Sequence, residues 1–269
     1  MKIFLSKNKL IKFIQNEKDL GFVPTMGAIH RGHISLFKRS ISQSKKTIVS
    51  IFINKQQFNR KSDFKKYPRV LKKDISVLKR LKVDYLYIPS NDQIYPRGPN
   101  KRINVGGFGK KLCGKFRPGH FEAVVDVIER FIKIINPKRI YLGEKDMQQL
   151  KIIEHFIKKN YNKIKVIGCK TIREKNGVAY SSRNFLLSVA EKKIASKIYN
   201  FLDNKKNHLI DKKISFNDIK NKIFKLGAGK IDYIDLLDVN KLIRPYRKNI
   251  KYRIFIAYYL RTTRLIDNI

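Results

Sequence analysis

Strands alternate with helices up to about residue 172, several of those strands are unbroken apolar runs, and the last third changes to helix, helix, strand, strand. These observations predict an α/β protein: a Rossmann-like parallel sheet in an N-terminal domain over residues 1–174, and a smaller α+β C-terminal domain over 175–269. The apolar runs matter because a parallel strand is covered on both faces and has no polar side to show.

Taken in order, residues 8–20 read as an amphipathic helix with Leu10, Ile11, Phe13 and Ile14 apolar. Gly21-Phe22-Val23 ends a buried strand. A turn with two glycines and two histidines follows, and Ile34, Leu36, Phe37 and Ile41 then recur at helical spacing. Residues 47–53 are β-branched and read as a strand. Residues 69–82 read as a helix carrying Val70, Leu71, Ile75, Leu78 and Leu81 on one side, and 84–89 as a strand stopped by Pro89. Residues 91–119 are loop-rich. A helix over 120–135 ends before Pro137; strands over 139–143 and 164–169 flank a helix that begins at 144–149. Asn176-Gly177 marks a tight turn. Ser188 and Glu191 form a capping box for a helix to about 203, and Ser215 opens another that Gly227 ends. Residues 231–239 and 252–259 read as strands, and 265–268 close the chain.

The 269 residues are 42% hydrophobic, which excludes a disordered chain, and no apolar run reaches bilayer length. The first seven residues lack the apolar core of a signal peptide, so no membrane partner is expected. Cys113 and Cys169 show no metal-ligand spacing, and a reduced, cytoplasmic compartment is expected. The net charge of +40 invites a nucleic-acid reading. Its lysines are scattered through helices and loops without a basic arm, so no specific nucleic-acid partner is expected.

The chemistry concentrates at strand ends. Met26, Gly27, Ala28, Ile29, His30, Arg31, Gly32 and His33 link a strand to a helix. Free N–H groups and the helix dipole at such a turn favour an anion, and two imidazoles three apart can address one phosphate. Asn54 and Gln57 follow the second strand, where α/β sheets place ligands. Gly143, Glu144, Lys145, Asp146 and Gln149 follow the fourth. Tyr180, Ser181, Ser182 and Arg183 combine hydroxyls with a guanidinium, which suits a phosphate chain. Arg117 and His120 end the Gly-rich segment, and Tyr67 precedes the helix over 69–82.

Seven ordered blocks of the chain carry a family pattern: 23–33, 54–58, 66–69, 117–121, 143–149, 181–184 and 264–268. In that order and spacing the chain resembles the pantoate–β-alanine ligases, of the HIGH-motif nucleotidyltransferase-like superfamily. The resemblance implies an ATP-dependent ligase of coenzyme A biosynthesis that condenses (R)-pantoate with β-alanine through an enzyme-bound pantoyl adenylate, giving pantothenate, AMP and pyrophosphate. It implies ATP as co-substrate with Mg²⁺, and a homodimer. It implies that residues 26–33, 143–146, Ile172 and 180–183 bind the nucleotide, with His33, His30, Lys145 and Arg183 acting on phosphate charge. Gln57 and Gln149 would bind pantoate, and Asn54, Arg117, His120 and Tyr67 would help form the substrate site. No residue is assigned to bind metal directly. Arg31, Lys55, Cys113 and Tyr180 depart from the family pattern. A nucleotidyltransferase of the same fold, making a dinucleotide from ATP and a phosphate ester, would need a second phosphate site, and the neutral amides of Gln57 and Gln149 suit a hydroxy acid better.

Overall fold

The structure is a computed structural model that describes residues 1–239, 243–244 and 251–269. The chain divides into two compact units: Met1–Glu144 with Gln149–Lys170, and Lys145–Gln148 with Thr171–Ile269. The division after Lys170 lies four residues before the boundary expected from the sequence, and the second unit also takes the short stretch Lys145–Gln148.

The first unit contains β1 (Lys2–Phe4), α1 (Lys7–Ile14), β2 (Leu20–Thr25), α2 (Arg31–Gln43), β3 (Lys46–Ile51), α3 (Lys61–Lys66), α4 (Leu71–Arg80), β4 (Tyr85–Tyr87), α5 (Asn91–Ile94), α6 (Cys113–Phe116), α7 (His120–Ile135), β5 (Arg139–Gly143), α8 (Met147–Asn160) from Gln149 onward, and β6 (Lys165–Cys169). The strands form one parallel sheet in the order β1-β4-β3-β2-β5-β6. The parallel arrangement follows from the composition. Phe22, Val23, Ile48, Val49, Leu86, Ile140 and Tyr141 are fully buried, each contributing about 1.5–3 kcal/mol of apolar burial. From β2 the chain steps to β3 and β4 on one side, then returns to β5 and β6 on the other. The order therefore reverses between β2 and β5, the position where open α/β sheets bind ligands beyond the strand C-termini. That ladder is short. Only Gly21–Arg139 and Phe22–Ile140 pair across it, while β2 continues along β3 to Thr25 and β5 along β6 to Gly143.

In the second unit α9 (Val189–Ile210) and α10 (Phe216–Lys225) precede an antiparallel sheet of β7 (Lys230–Asp238), β8 (Tyr252–Leu260) and β9 (Thr263–Asn268). Ile198, Leu202, Ile219, Ile223, Ile254 and Ile256 are its core. Among the described residues no helix is long and apolar enough to cross a membrane.

Two strands escape the sequence reading. β1 is three residues long at a sheet edge, too short to show a period. β9 has a charge at Arg264 and Asp267, yet pairs with β8 over six residues. α1 stops at Ile14, not near 20, because Leu20 belongs to the fully covered strand β2. α9 runs to Ile210, beyond the expected end near 203, since Leu202 and Leu209 carry its buried stripe past the polar run 203–208.

Candidate active site

The turn after β2 is held by its own side chains and by a neighbouring helix. The Thr25 hydroxyl donates to the Ser50 carbonyl (2.8 Å) and accepts from the Gly27 N–H (3.1 Å). The next two N–H groups, of Ala28 and Ile29, donate to the two carboxylate oxygens of Asp74 on α4 at 2.9 and 2.8 Å. Gly27 and Ala28 both have left-handed backbones, φ +76° and +50°. A side chain at Gly27 would come within 2.9 Å of Asp74 Oδ2, so glycine is required on both counts. Burial pushes the Asp74 carboxyl above the usual aspartate value, and the N–H bonds from Ile29 and Ala28 draw it back.

His30 caps α2. Its Nδ1 accepts the Gly32 N–H at 3.1 Å and its carbonyl accepts from Ile34. With Nδ1 an acceptor, the neutral ring carries its proton on Nε2. The His30 and His33 rings stack, centroids 4.0 Å apart and planes 27° apart. The two histidines are thus brought together as the sequence predicts. Four amides of the turn, the N–H groups of residues 27, 28, 29 and 32, are bonded within the protein, to Thr25, Asp74 and His30, and so serve the turn's own shape.

On the far side of β3 a second cluster surrounds Gln57. Its main-chain carbonyl accepts from Arg117 Nη2 (2.9 Å) and His120 Nδ1 (3.0 Å), and Arg117 Nη1 lies 3.0 Å from His120 Nε2. A shared carbonyl acceptor puts the His120 proton on Nδ1 and leaves Nε2 to accept from arginine. Asn54, 1% exposed, uses its carbonyl on the Gln56 N–H and the Tyr95 hydroxyl, and its amide on the Ala123 carbonyl. Tyr67 packs edge-on against Phe58, centroids 5.6 Å apart. Asn54, Arg117 and His120, expected to help form the substrate site, brace the segment that carries Gln57 and its surroundings. The side-chain amide of Gln57 itself forms no hydrogen bond among the described residues. Gln149 lies half-buried on α8.

Gly143 ends β5 beside Cys169, and Glu144 follows it. In the second unit, Lys145 Nζ is 3.4 Å from Asp146 Oδ1, and the Lys145 carbonyl accepts from the Asn268 side-chain amide at 2.8 Å. Asn268 is in turn fixed by Arg253, which donates to its Oδ1 at 2.7 Å. Arg173 grips Asp267 with two bonds (2.7 and 2.9 Å) and stacks on Tyr199. The turn predicted at Asn176-Gly177 is present. Gly177 has φ +88°, and a Cβ there would lie 2.0 Å from the Tyr199 ring. The turn brings Ile172 and Tyr180 together, the Tyr180 N–H donating to the Ile172 carbonyl at 3.0 Å. Ser181 caps the turn at 182–186, accepting from the Arg183 N–H, and Ser182 is buried. Lys145, Ser181, Arg183, Asn184, Arg264 and Asp267 line one concave pocket of this unit. Its three cations, Lys145, Arg183 and Arg264, outnumber its one carboxylate, Asp267, a balance that suits an anion.

Asp74 and Arg173 were not singled out from the sequence, and Arg264 and Asn268 entered only as members of the block 264–268, with no role assigned. Asp74 had a readable signal: it stands four residues from both Val70 and Leu78, on the apolar stripe of its helix, where a carboxylate must find buried donors.

A sequence profile described as "Pantoate-beta-alanine ligase" matches residues 2–269. The chain is 40% identical over 271 residues to a pantothenate synthetase of Flavobacterium psychrophilum, covering 98% of this chain and 95% of that one. It is 39% identical to a pantothenate synthetase of a Sulfurihydrogenibium species, covering 94% and 92%. Its fold superposes with TM-score 0.88 on a Francisella tularensis pantoate-beta-alanine ligase complexed with Beta-gamma ATP and Beta-alanine, at 38% identity, covering 100% and 97%. A Thermus thermophilus pantothenate synthetase gives TM-score 0.89 at 30% identity, covering 100% and 99%.

Proposed function

The chain belongs to the pantoate–β-alanine ligase family, and from that premise we propose that it makes pantothenate in two steps through an enzyme-bound pantoyl adenylate. The observation that carries the reading is the stacked His30–His33 pair at the start of α2, beside the point where the strand order reverses.

In the first step a carboxylate oxygen of pantoate attacks the α-phosphorus of ATP. The bond to the bridging oxygen breaks and pyrophosphate leaves. Negative charge gathers on the phosphoryl oxygens, and His30, His33, Lys145 and Arg183 neutralise it. Pyrophosphate is a good leaving group, so charge stabilisation at His33 matters more than proton donation. In the second step the β-alanine amine attacks the acyl carbon, AMP leaves, and the amine proton passes to solvent. No protein nucleophile is needed, and alignment of the reacting atoms supplies much of the rate.

Gln57 and Gln149 bind the hydroxy acid. The open side-chain amide of Gln57, on a main chain fixed by Arg117 and His120, supports this assignment. Gly143, Glu144 and Asp146 bind the adenosine part of the nucleotide, Ile172 contacts the adenine, and Tyr180, Ser181 and Ser182 frame the phosphates. The Ile172 carbonyl accepts from the Tyr180 N–H, which ties these two nucleotide residues together. Mg²⁺ fits as a companion of the triphosphate. Among the described residues no group of three or more His, Cys, Asp or Glu could hold a metal, so phosphate oxygens would supply most of its ligands. When bound, it would neutralise phosphate charge. The same reading takes the enzyme as a cytoplasmic homodimer, which light scattering of the purified protein tests for association.

The deciding experiment incubates the protein with ATP, Mg²⁺, pantoate and β-alanine and detects products by mass. Pantothenate and AMP in equal amounts are expected; ADP in place of AMP would rule out the adenylate. Pantoate-dependent ATP–pyrophosphate exchange is expected without β-alanine.

A further inference from the structure

We infer that Asp74 is a positioning residue for the reaction: its carboxylate grips the main chain of Ala28 and Ile29 and so aims the His30–His33 pair. The inference rests on the reading that this pair faces the triphosphate.

Asp74 is 2% exposed, on a helix face it shares with the fully buried Leu78. A carboxylate in such a place is tolerated only when its oxygens are bonded. Here each oxygen takes one N–H, and the two donors are consecutive residues of the turn. Gly27 lies against the same carboxylate, so three residues in a row are shaped by one side chain. The grip also explains why Ala28, which carries a Cβ, holds a left-handed backbone. From Ile29 the constraint passes one residue on, to His30, whose ring caps α2 and stacks on His33. The chain of contacts from Asp74 to the imidazoles is unbroken and short.

The arrangement has a chemical consequence. A turn of this kind commonly offers its N–H groups to a phosphate. Here an internal carboxylate takes two of them. The turn therefore keeps its shape before any anion arrives, and the anion is met by imidazoles aimed in advance.

The test is Asp74→Asn, which is isosteric but sets an NH₂ group against one of the two N–H donors. Pantoate-dependent ATP–pyrophosphate exchange is expected to lose roughly tenfold to a hundredfold in kcat, the effect of a displacement on the order of 1 Å. The pantoate KM is expected to stay within about twofold, since Gln57 and Gln149 belong to other segments. Adding Ala28→Gly, which adopts the left-handed backbone without help, is expected to restore activity severalfold. Hydrogen exchange at the Ala28 and Ile29 amides reads the grip without any activity, and Asp74→Asn should speed it. Unchanged exchange at these amides would overturn the inference. So would a kcat within twofold of the parent, an equal rise of the ATP and pantoate KM values, or recovery in excess Mg²⁺, which would make the carboxylate a metal ligand. A parent protein without pantoate-dependent exchange would refute the functional reading instead, and the amide measurement would still decide the grip.

Discussion

The turn at 25–33 and the stretch around Lys145 both present cationic side chains after a strand, but their main chains are anchored with opposite polarity. In the turn it is the N–H groups that are taken, by Thr25, Asp74 and His30. Around Lys145 it is the carbonyl that is taken, by the amide of Asn268, 123 residues away. Using up these four N–H groups removes donors that an anion could have had and enlarges the share left to the imidazoles. Tying the carbonyl to Asn268 fixes the main chain from which the Lys145 side chain projects. Each anchor therefore holds a main chain and leaves its side chain to act.

The sharpest way to break this comparison is to delete the side chains themselves. His33→Ala and Lys145→Ala are each expected to slow pantoate-dependent ATP–pyrophosphate exchange by at least about a hundredfold, the loss typical of one charge-stabilising donor. Near-normal exchange in either variant would remove that residue from the chemistry. Removing the second anchor comes next. Asn268→Ala strips the Lys145 carbonyl of its donor and is expected to lower kcat about tenfold while leaving the pantoate KM unchanged. It should also destabilise the fold by about 1–3 kcal/mol in denaturant unfolding, since Arg253 and the Lys145 carbonyl both lose a buried partner. A loss of stability without a loss of rate would make Asn268 structural only, and the two anchors would not be counterparts.

A smaller and more selective effect is expected where the anchored group is a main chain that carries a neutral amide. Gln57→Ala should raise the pantoate KM far more than the ATP KM; equal rises would contradict its assignment. The smallest effect concerns a region outside both anchors. Ser188→Ala removes the capping box of α9 and is expected to cost about 1 kcal/mol with activity unchanged. The Ser188 main-chain N–H, and then its hydroxyl, hold the Glu191 carboxyl below the usual glutamate value. A lowered carboxyl stabilises the fold above its ordinary titration range, and this contribution fades as pH falls through the folded value. The gap in melting temperature between Ser188→Ala and the parent should therefore narrow in acid.

Much of the fold was legible because covered parallel strands and amphipathic helices write themselves as apolar patterns. Phe22-Val23, Ile48-Val49 and Ile140-Tyr141 are fully buried where the runs predicted strands. β1 and β9 were not legible, since a three-residue edge and a strand bearing Arg264 and Asp267 show no such pattern. At the site, His30 and His33 announced themselves by type and spacing. Asp74 showed only a carboxylate on an apolar stripe; its partners stayed hidden, because they are main-chain amides 46 and 45 residues away, and an amide has no letter in the sequence. Asn54, Arg117 and His120 show the converse. Their hydrogen-bonding capacity was readable, but its use on the carbonyls of Ala123 and Gln57, and on Tyr95, was not.

The two-pair ladder between β2 and β5 bears on the kinetics of entry. Past Phe22 and Ile140 these neighbours share no rungs, so a visiting molecule at their C-terminal ends breaks none. The fork is thus a permanent feature of the sheet, and occupying it requires no unzipping of these two strands.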